Sequence, residues 1–120
     1  VTTMHVTRAF HDALVDSGRG RFAIVSSKQA QFPEAKNAAY AATKGAAETW
    51  TLALADSFAG TGATANIVVI NAILTRRMRE AHPRKEYPGF TPAESIADAL
   101  AFVCSDSAAR MNGQRLSLHP

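Results

Sequence analysis

Two short apolar runs on either side of a long alanine-rich segment constrain the fold of this chain more than any other feature. The runs are residues 22–25 (Phe-Ala-Ile-Val) and residues 67–70 (Ile-Val-Val-Ile), each too short for a helix. Between them, residues 38–59 are rich in alanine and free of proline, which predicts a long helix ending near Gly60. Strands that alternate with helices pair in parallel through right-handed crossovers. The pattern therefore predicts an α/β fold with a helix-covered parallel sheet.

The two ends of the chain continue the alternation. Apolar residues at steps of three and four predict an amphipathic helix over residues 1–17, and residues 115–118 predict a terminal strand. The resulting order is helix, strand, helix, strand, helix, strand. Three strands are few for such a sheet, and a bare parallel edge is a liability, so we expect the second half of a larger unit.

The region between the second and third strands contains two local signals. Residues 71–89 are basic and only weakly periodic, which predicts a loop with a short helix near residues 76–81. Thr91 and Glu94 have the spacing of a capping box around Pro92. This pattern predicts a helix with Thr91 as its N-cap, reaching about residue 104.

Composition limits the classes of protein that remain. The 120 residues are 47% hydrophobic and 19% charged, which suits one domain and excludes disorder as the default. No apolar run approaches the roughly 20 residues of a membrane helix. A net charge of +3 is small for a surface that follows nucleic-acid phosphates, and the four histidines have no metal-site spacing.

The cysteine content predicts the compartment. Cys104 is the one cysteine of the chain, which excludes an intrachain disulfide framework and a multi-cysteine zinc site. We therefore expect a reducing, cytoplasmic compartment. Because Cys104 lies in an apolar helical stretch, we also expect its thiol to be buried.

Three residues form a candidate catalytic group. Tyr40 and Lys44 are four residues apart on the predicted long helix, so both lie on one face, about one turn apart. An ammonium beside a phenol favours the phenolate form, as a tyrosine acting as general acid or base requires. Ser27 follows the first predicted strand, where the carboxyl end of a parallel strand faces a ligand crevice.

These residues occur in two stretches that resemble the short-chain dehydrogenase/reductase family. The stretches are Gly-Arg-Phe-Ala-Ile-Val-Ser-Ser at residues 20–27 and Ala-Tyr-Ala-Ala-Thr-Lys-Gly-Ala at residues 39–46, which are similar to the family's active-site strand and catalytic helix. Residues 66–72, 90–97 and 104–114 extend the resemblance over essentially the whole chain. It implies one domain over residues 1–120, the carboxyl-terminal half of a Rossmann-like, doubly wound fold that lacks the amino-terminal dinucleotide-binding half.

The resemblance also implies an activity and roles for its residues. Members transfer hydride between NAD or NADP and a carbonyl or alcohol, so Tyr40 would donate or accept the proton and Ser27 would polarise the substrate oxygen. Lys44 would bind the nicotinamide ribose, and Thr75 falls where members place a threonine against the nicotinamide carboxamide. Both Tyr40 and Lys44 would thus contact the cofactor. A homo-oligomer through the first two helices is implied as well, with Trp50 and Phe58 packing in the core or at that interface.

The sequence departs from the family in three respects. It contains no G-x-G-x-x-G after a strand, so the pyrophosphate-binding fingerprint is missing from these residues. Ile70-Asn71 replaces the usual Pro-Gly, and the family's catalytic asparagine has no assignable position. We therefore expect the isolated 120 residues to be inactive, and to self-associate or bind a missing half.

Two alternatives stay open from the sequence. A chain with this fold that has lost catalysis would serve as an interaction or ligand-binding module. The basic cluster of residues 76–85 would either receive an anionic substrate group or cofactor phosphate, or form a solvated loop balanced by Glu80 and Glu86.

Overall fold

The computed structural model describes residues 2–120 and has four α-helices, three short 3-10 helices and five strands in that range. The helices are α1 (Thr2–Asp16), α2 (Ala38–Phe58), α3 (Arg76–Ala81) and α4 (Ala93–Val103). The strands are β1 (Arg21–Ser27), β2 (Thr64–Ile70), β3 (Ala72–Leu74), β4 (Phe90–Pro92) and β5 (Arg115–Ser117). The predicted alternation of helices and strands is present, and α3 lies where a short helix is predicted, but β3 and β4 are two strands beyond the predicted three. The part of the first helix predicted at Val1 lies outside the described residues.

The main sheet is parallel, with strand order β1-β2-β5. Arg21 of β1 pairs with Thr64 of β2, and the register continues to Ser27 and Ile70. The central strand β2 is buried at all positions but its last, which explains its continuous apolar run. The expected α/β fold with a parallel sheet is confirmed.

The core lies between α2 and the sheet. Leu54, Ala55 and Phe58 of α2 pack against Ala63 and Ala65, and α1 contributes partly buried Leu14 and Val15. Phe58 is fully buried, so of the two expected placements, core or subunit interface, it takes the one in the core. Trp50 is half-buried and donates its indole N–H to Thr7 Oγ1 at 2.8 Å, which joins α2 to α1.

The predicted capping box is wrong. Thr91 belongs to β4, and its hydroxyl donates to the carbonyl of Leu118 at 2.6 Å. Pro92 itself occupies the N-cap of α4, where no side-chain capping bond forms. The pairing of β3 with β4 draws Thr91 and Pro92 into a second, two-stranded parallel sheet, and tertiary pairing overrides the local signal.

The expected burial of Cys104 is also wrong. Cys104 is the C-cap residue of α4 and is exposed. Only one side of the apolar helix α4 faces the protein interior. Ile96 and Val103 are buried, whereas Phe102 is exposed.

Two loops approach each other closely at a pair of glycines. Gly62 has φ +84°, and a Cβ placed on it would lie 2.1 Å from the carbonyl oxygen of Gly18. Gly60 has a similar φ of +77° but open space around it. The loop after α1 can therefore approach the loop before β2 only when residue 62 lacks a side chain.

We expect Gly62→Ala to lower the free energy of unfolding by about 2–3 kcal/mol, because a strained φ and a backbone overlap both contribute. Gly60→Ala is the matched control and should cost only about 1 kcal/mol, since it meets the φ penalty alone. Urea unfolding of both variants checks the difference, and equal losses would show that the contact with Gly18 carries no cost.

Candidate active site

A cleft opens at the carboxyl ends of β1 and β2. It has a volume of about 420 Å³ and is lined by the ends of both strands, the start of α2 and the residues leading into β3. Parallel sheets place ligand sites at this edge because loops and helix termini converge there. The lining includes Ser27, Tyr40 and Lys44, so three of the four predicted site residues face one space.

Tyr40 and Lys44 project from the first turns of α2. Tyr40 is 51% exposed, and Lys44 Nζ lies 5.9 Å from the centre of its ring. The ammonium of Lys44 also donates to the carbonyl oxygen of Val25 in β1 at 3.3 Å. Lys44 thus bridges the helix and the strand, while the Tyr40 hydroxyl remains open to a ligand.

Ser27 is the last residue of β1 and is almost fully buried, with 3% exposure. Its Oγ accepts a hydrogen bond from the backbone N–H of Gln29 at 3.2 Å, which caps a short 3-10 turn. This bond uses an oxygen lone pair and fixes the hydroxyl at the cleft wall. The hydroxyl proton is still available for donation to a ligand oxygen.

Thr75, the fourth predicted site residue, does not line the cleft. It is the N-cap of α3, and its Oγ1 accepts from the backbone N–H of Met78 at 3.2 Å. The structure therefore gives Thr75 a helix-starting role beside the cleft. The neighbouring β3 residues Ala72 and Ile73 reach the lining instead.

Several lining residues carried no signal in the sequence. Gln29, Ala72 and Ile73 line the cleft only because of the local chain path after β1 and β2. Asn71 stands at the departure from the usual Pro-Gly, and its side-chain nitrogen lies 3.3 Å from where a Cβ on Gly89 would sit. Gly89 therefore gives Asn71 room to face the cleft.

A buried polar network, which the sequence did not predict, lies behind the site. Ser26 donates to Glu48 Oε2 at 2.6 Å, and Arg115 Nε donates to Glu48 Oε1 at 2.6 Å. The Glu48 side chain is 7% exposed and that of Arg115 is 21% exposed. One carboxylate on α2 therefore fastens β1 and β5 to the helix that carries Tyr40 and Lys44.

Residues 2–120 contain no group of three or more His, Cys, Asp or Glu side chains that could hold a metal ion. Within those residues, no helix has both the length and the apolar character to cross a membrane.

Comparisons with a family model and with known proteins indicate the same family. Residues 1–86 match the family model described as short chain dehydrogenase. An acetoacetyl-CoA reductase from Allochromatium vinosum is 27% identical over 126 aligned positions, which cover 98% of this chain and 51% of that protein.

Solved structures show the same architecture. A short-chain dehydrogenase/reductase from Mycobacterium ulcerans superposes with a TM-score of 0.82 at 24% identity, over 97% of this chain and 46% of that one. A protein from Beutenbergia cavernae, described as an NAD(P)-dependent gluconate 5-dehydrogenase with NADP at low occupancy, gives 0.77 at 28% identity, over 96% and 50%.

This chain therefore spans about half the length of the relatives it matches. The expected resemblance is confirmed by the family model, which covers well over half of the chain, and by the shared fold. The chain belongs to the short-chain dehydrogenase family.

Proposed function

We propose that these residues form the catalytic, carboxyl-terminal part of an NAD(P)-dependent oxidoreductase that transfers hydride between the nicotinamide and a carbonyl or alcohol substrate. The observation that carries the proposal is the convergence of Ser27, Tyr40 and Lys44 on one cleft at the carboxyl ends of two parallel strands. The family assignment supports the same chemistry.

In this proposal Tyr40 moves the proton. Tyr40 is half-exposed and lines the cleft, where its hydroxyl can approach a substrate oxygen closely enough for a hydrogen bond. During reduction the phenol donates its proton to the oxygen of the former carbonyl. During oxidation the deprotonated oxygen of Tyr40 accepts the proton of the substrate alcohol.

Ser27 and Lys44 orient the reactants. The Ser27 hydroxyl is fixed by the Gln29 N–H and donates a hydrogen bond to the substrate oxygen, which polarises the carbonyl. Lys44 has two further N–H donors besides the one used at Val25, and these suit the hydroxyls of a ribose. Both contributions are strongest in a site that excludes bulk water.

The residues present fit part of a nicotinamide dinucleotide. When bound, this cofactor supplies or accepts the hydride. Tyr40 and Lys44 would hold its ribose. Thr75, which lies beside the cleft and caps α3 with its oxygen, would donate a hydrogen bond from its hydroxyl to the carboxamide. Residues 1–120 contain no glycine-rich fingerprint for the pyrophosphate, so that contact is expected from an amino-terminal half.

We also propose that α1 and α2 form a contact between copies of the protein. Val6 and Phe10 on α1 and Leu52 on α2 are large hydrophobic residues with more than two fifths of their surface exposed. Exposed apolar side chains on neighbouring helices are typical of protein interfaces. In addition, β1 pairs only with β2 in the described sheet, so its other edge can accept a strand.

The direct test is hydride transfer by the complete polypeptide that contains residues 1–120. Acetoacetyl-CoA, the compound in the name of the Allochromatium relative, is a reasonable first substrate, with small ketones and alcohols as further ones. We expect substrate-dependent oxidation of NADH or NADPH, measured as the loss of nicotinamide absorbance. The isolated 120 residues should show no turnover. A complete polypeptide that binds the dinucleotide but transfers no hydride to any carbonyl would contradict the proposal.

A further inference from the structure

Glu48 follows Lys44 by four residues in α2, so the two side chains lie on one face of the helix, one turn apart. A lysine and a glutamate at this spacing are placed to attract each other along the helix surface. In this fold they do not pair. Within the described residues 2–120, no carboxylate lies within 4.0 Å of the Lys44 ammonium. An acidic group thus lies one turn from the cation of the cleft without neutralising it.

Both oxygens of the Glu48 carboxylate are held by other partners. Ser26 donates to Oε2, and Arg115 Nε donates to Oε1, each at 2.6 Å. Hydrogen bonds to an ionised acceptor are short and about twice as strong as those between neutral groups. Because Glu48 is buried, bulk water does not compete for the two oxygens. Ser26 and Arg115 therefore fix the direction in which this carboxylate points.

Lys44 makes its own contact one residue away on the same strand. Its Nζ donates to the carbonyl oxygen of Val25 at 3.3 Å, and Val25 precedes Ser26 in β1. In the described part of the chain, this bond and the one from Ser26 to Glu48 are the two side-chain hydrogen bonds between α2 and β1. A carboxylate accepts from an ammonium more strongly than a neutral carbonyl does. A carboxylate released from Ser26 would therefore compete with Val25 for Lys44.

The charges around the cleft are arranged so that one of them remains for a ligand. Of the residues that line the cleft, Lys44 is the one with a charged side chain. Behind it, Glu48 and Arg115 neutralise each other in the interior, with side chains 7% and 21% exposed. If Glu48 paired with Lys44 instead, the cleft would lose its cation, and Arg115 would keep a partly buried charge without a carboxylate.

We propose that Ser26 and Arg115 are positioning residues of the active site. By holding both oxygens of Glu48, they keep its carboxylate from pairing with Lys44. The ammonium then stays on the Val25 carbonyl, with its remaining N–H donors directed to a ligand. The inference rests on the proposed function for the identity of that ligand, which is the ribose of a nicotinamide dinucleotide.

Crystal structures of two variants of the complete polypeptide show where the released carboxylate turns. Ser26→Ala frees Oε2 of Glu48, and Arg115→Met frees Oε1. In both variants we expect a Glu48 oxygen at salt-bridge distance from Lys44 Nζ, and the bond from Lys44 to Val25 lost. Ser26→Ala keeps the buried ion pair, so it decides the test if Arg115→Met does not fold.

Thr51→Val is the matched control. The Thr51 hydroxyl is fully buried on the same helix, but it donates to the Ala47 carbonyl at 2.8 Å and so makes no link to β1. Its loss removes a buried hydrogen bond of α2 without releasing a carboxylate. We expect the contact between Lys44 and Val25 to be unchanged in this variant.

Titration of the same proteins with NADPH measures the consequence for binding. A carboxylate paired with Lys44 removes a charge-assisted donor, so Kd should rise about 10-fold in Ser26→Ala and Arg115→Met. Glu48→Gln added to either variant should restore Kd, because an amide has no charge to pair with the ammonium. A purely structural role predicts no such rescue, since the second substitution disturbs the same buried site again.

The outcomes separate this inference from the proposed function. The positioning role is overturned if Lys44 stays on Val25 in the Ser26→Ala structure, or if neither variant binds NADPH more weakly than wild type. A loss of binding that Glu48→Gln does not reverse, or an equal loss in Thr51→Val, also overturns it. A wild type that binds no dinucleotide contradicts the proposed function instead, and the crystal structures still decide whether Glu48 is kept from Lys44.

Discussion

Tyr40→Phe is expected to lower kcat of the complete polypeptide by roughly 100- to 10,000-fold, the usual contribution of a general acid or base. The substitution removes one hydroxyl from an exposed ring, so the fold and the cleft should be unchanged. Binding of the dinucleotide should largely persist because Lys44 keeps its contact with Val25. Steady-state kinetics and a cofactor titration, performed on the same preparation, check both parts.

Tyr87→Phe is the matched control for this prediction. Tyr87 is the other tyrosine of the chain, and its hydroxyl donates to the Met78 carbonyl at 3.4 Å, outside the cleft lining. We expect its loss to leave kcat within the range of ordinary surface substitutions. If Tyr40→Phe behaves like Tyr87→Phe, the chemistry does not pass through Tyr40, and the non-catalytic binding module becomes the better interpretation.

Arg115→Met should lower the free energy of unfolding by about 3–5 kcal/mol, because it leaves the buried Glu48 carboxylate with Ser26 as its remaining partner. The paired change Glu48→Leu/Arg115→Met should cost clearly less, since both charges leave the interior together. Urea unfolding of the three proteins at constant pH measures the two losses.

An exposed ion pair provides the control for this prediction. Arg76 and Glu80 form an i,i+4 pair at 2.9 Å, with side chains 85% and 66% exposed. Arg76→Met should therefore change stability by no more than about 1 kcal/mol. If Arg115→Met and Arg76→Met cost the same, burial of the Glu48–Arg115 pair contributes little, and the network does not hold α2 on the sheet.

Sequence patterns sufficed for the elements with a strong local signal. The apolar run of β2 is too short for a helix, and the alanine-rich α2 is a long segment without proline, so both elements were predictable from the sequence. Ser27, Tyr40 and Lys44 could be grouped because a strand end and an i,i+4 spacing have fixed geometries.

The features that the sequence did not reveal depend on contacts between distant residues. The strands β3 and β4 have three residues each, too few for a periodic pattern, and they exist because they pair with each other. The burial of Glu48 depends on Arg115, which lies 67 residues further along the chain. Neither residue alone distinguishes a buried pair from two solvated charges.

The hydrogen bond from Lys44 to the Val25 carbonyl also has an entropic consequence. A free lysine side chain samples many rotamers, and ordering it costs up to about 2 kcal/mol. In this fold the contact with β1 restricts Lys44 before any ligand arrives. The cleft is therefore preorganised at Lys44, and in the proposed function a ribose that binds there gains affinity without first having to order this side chain.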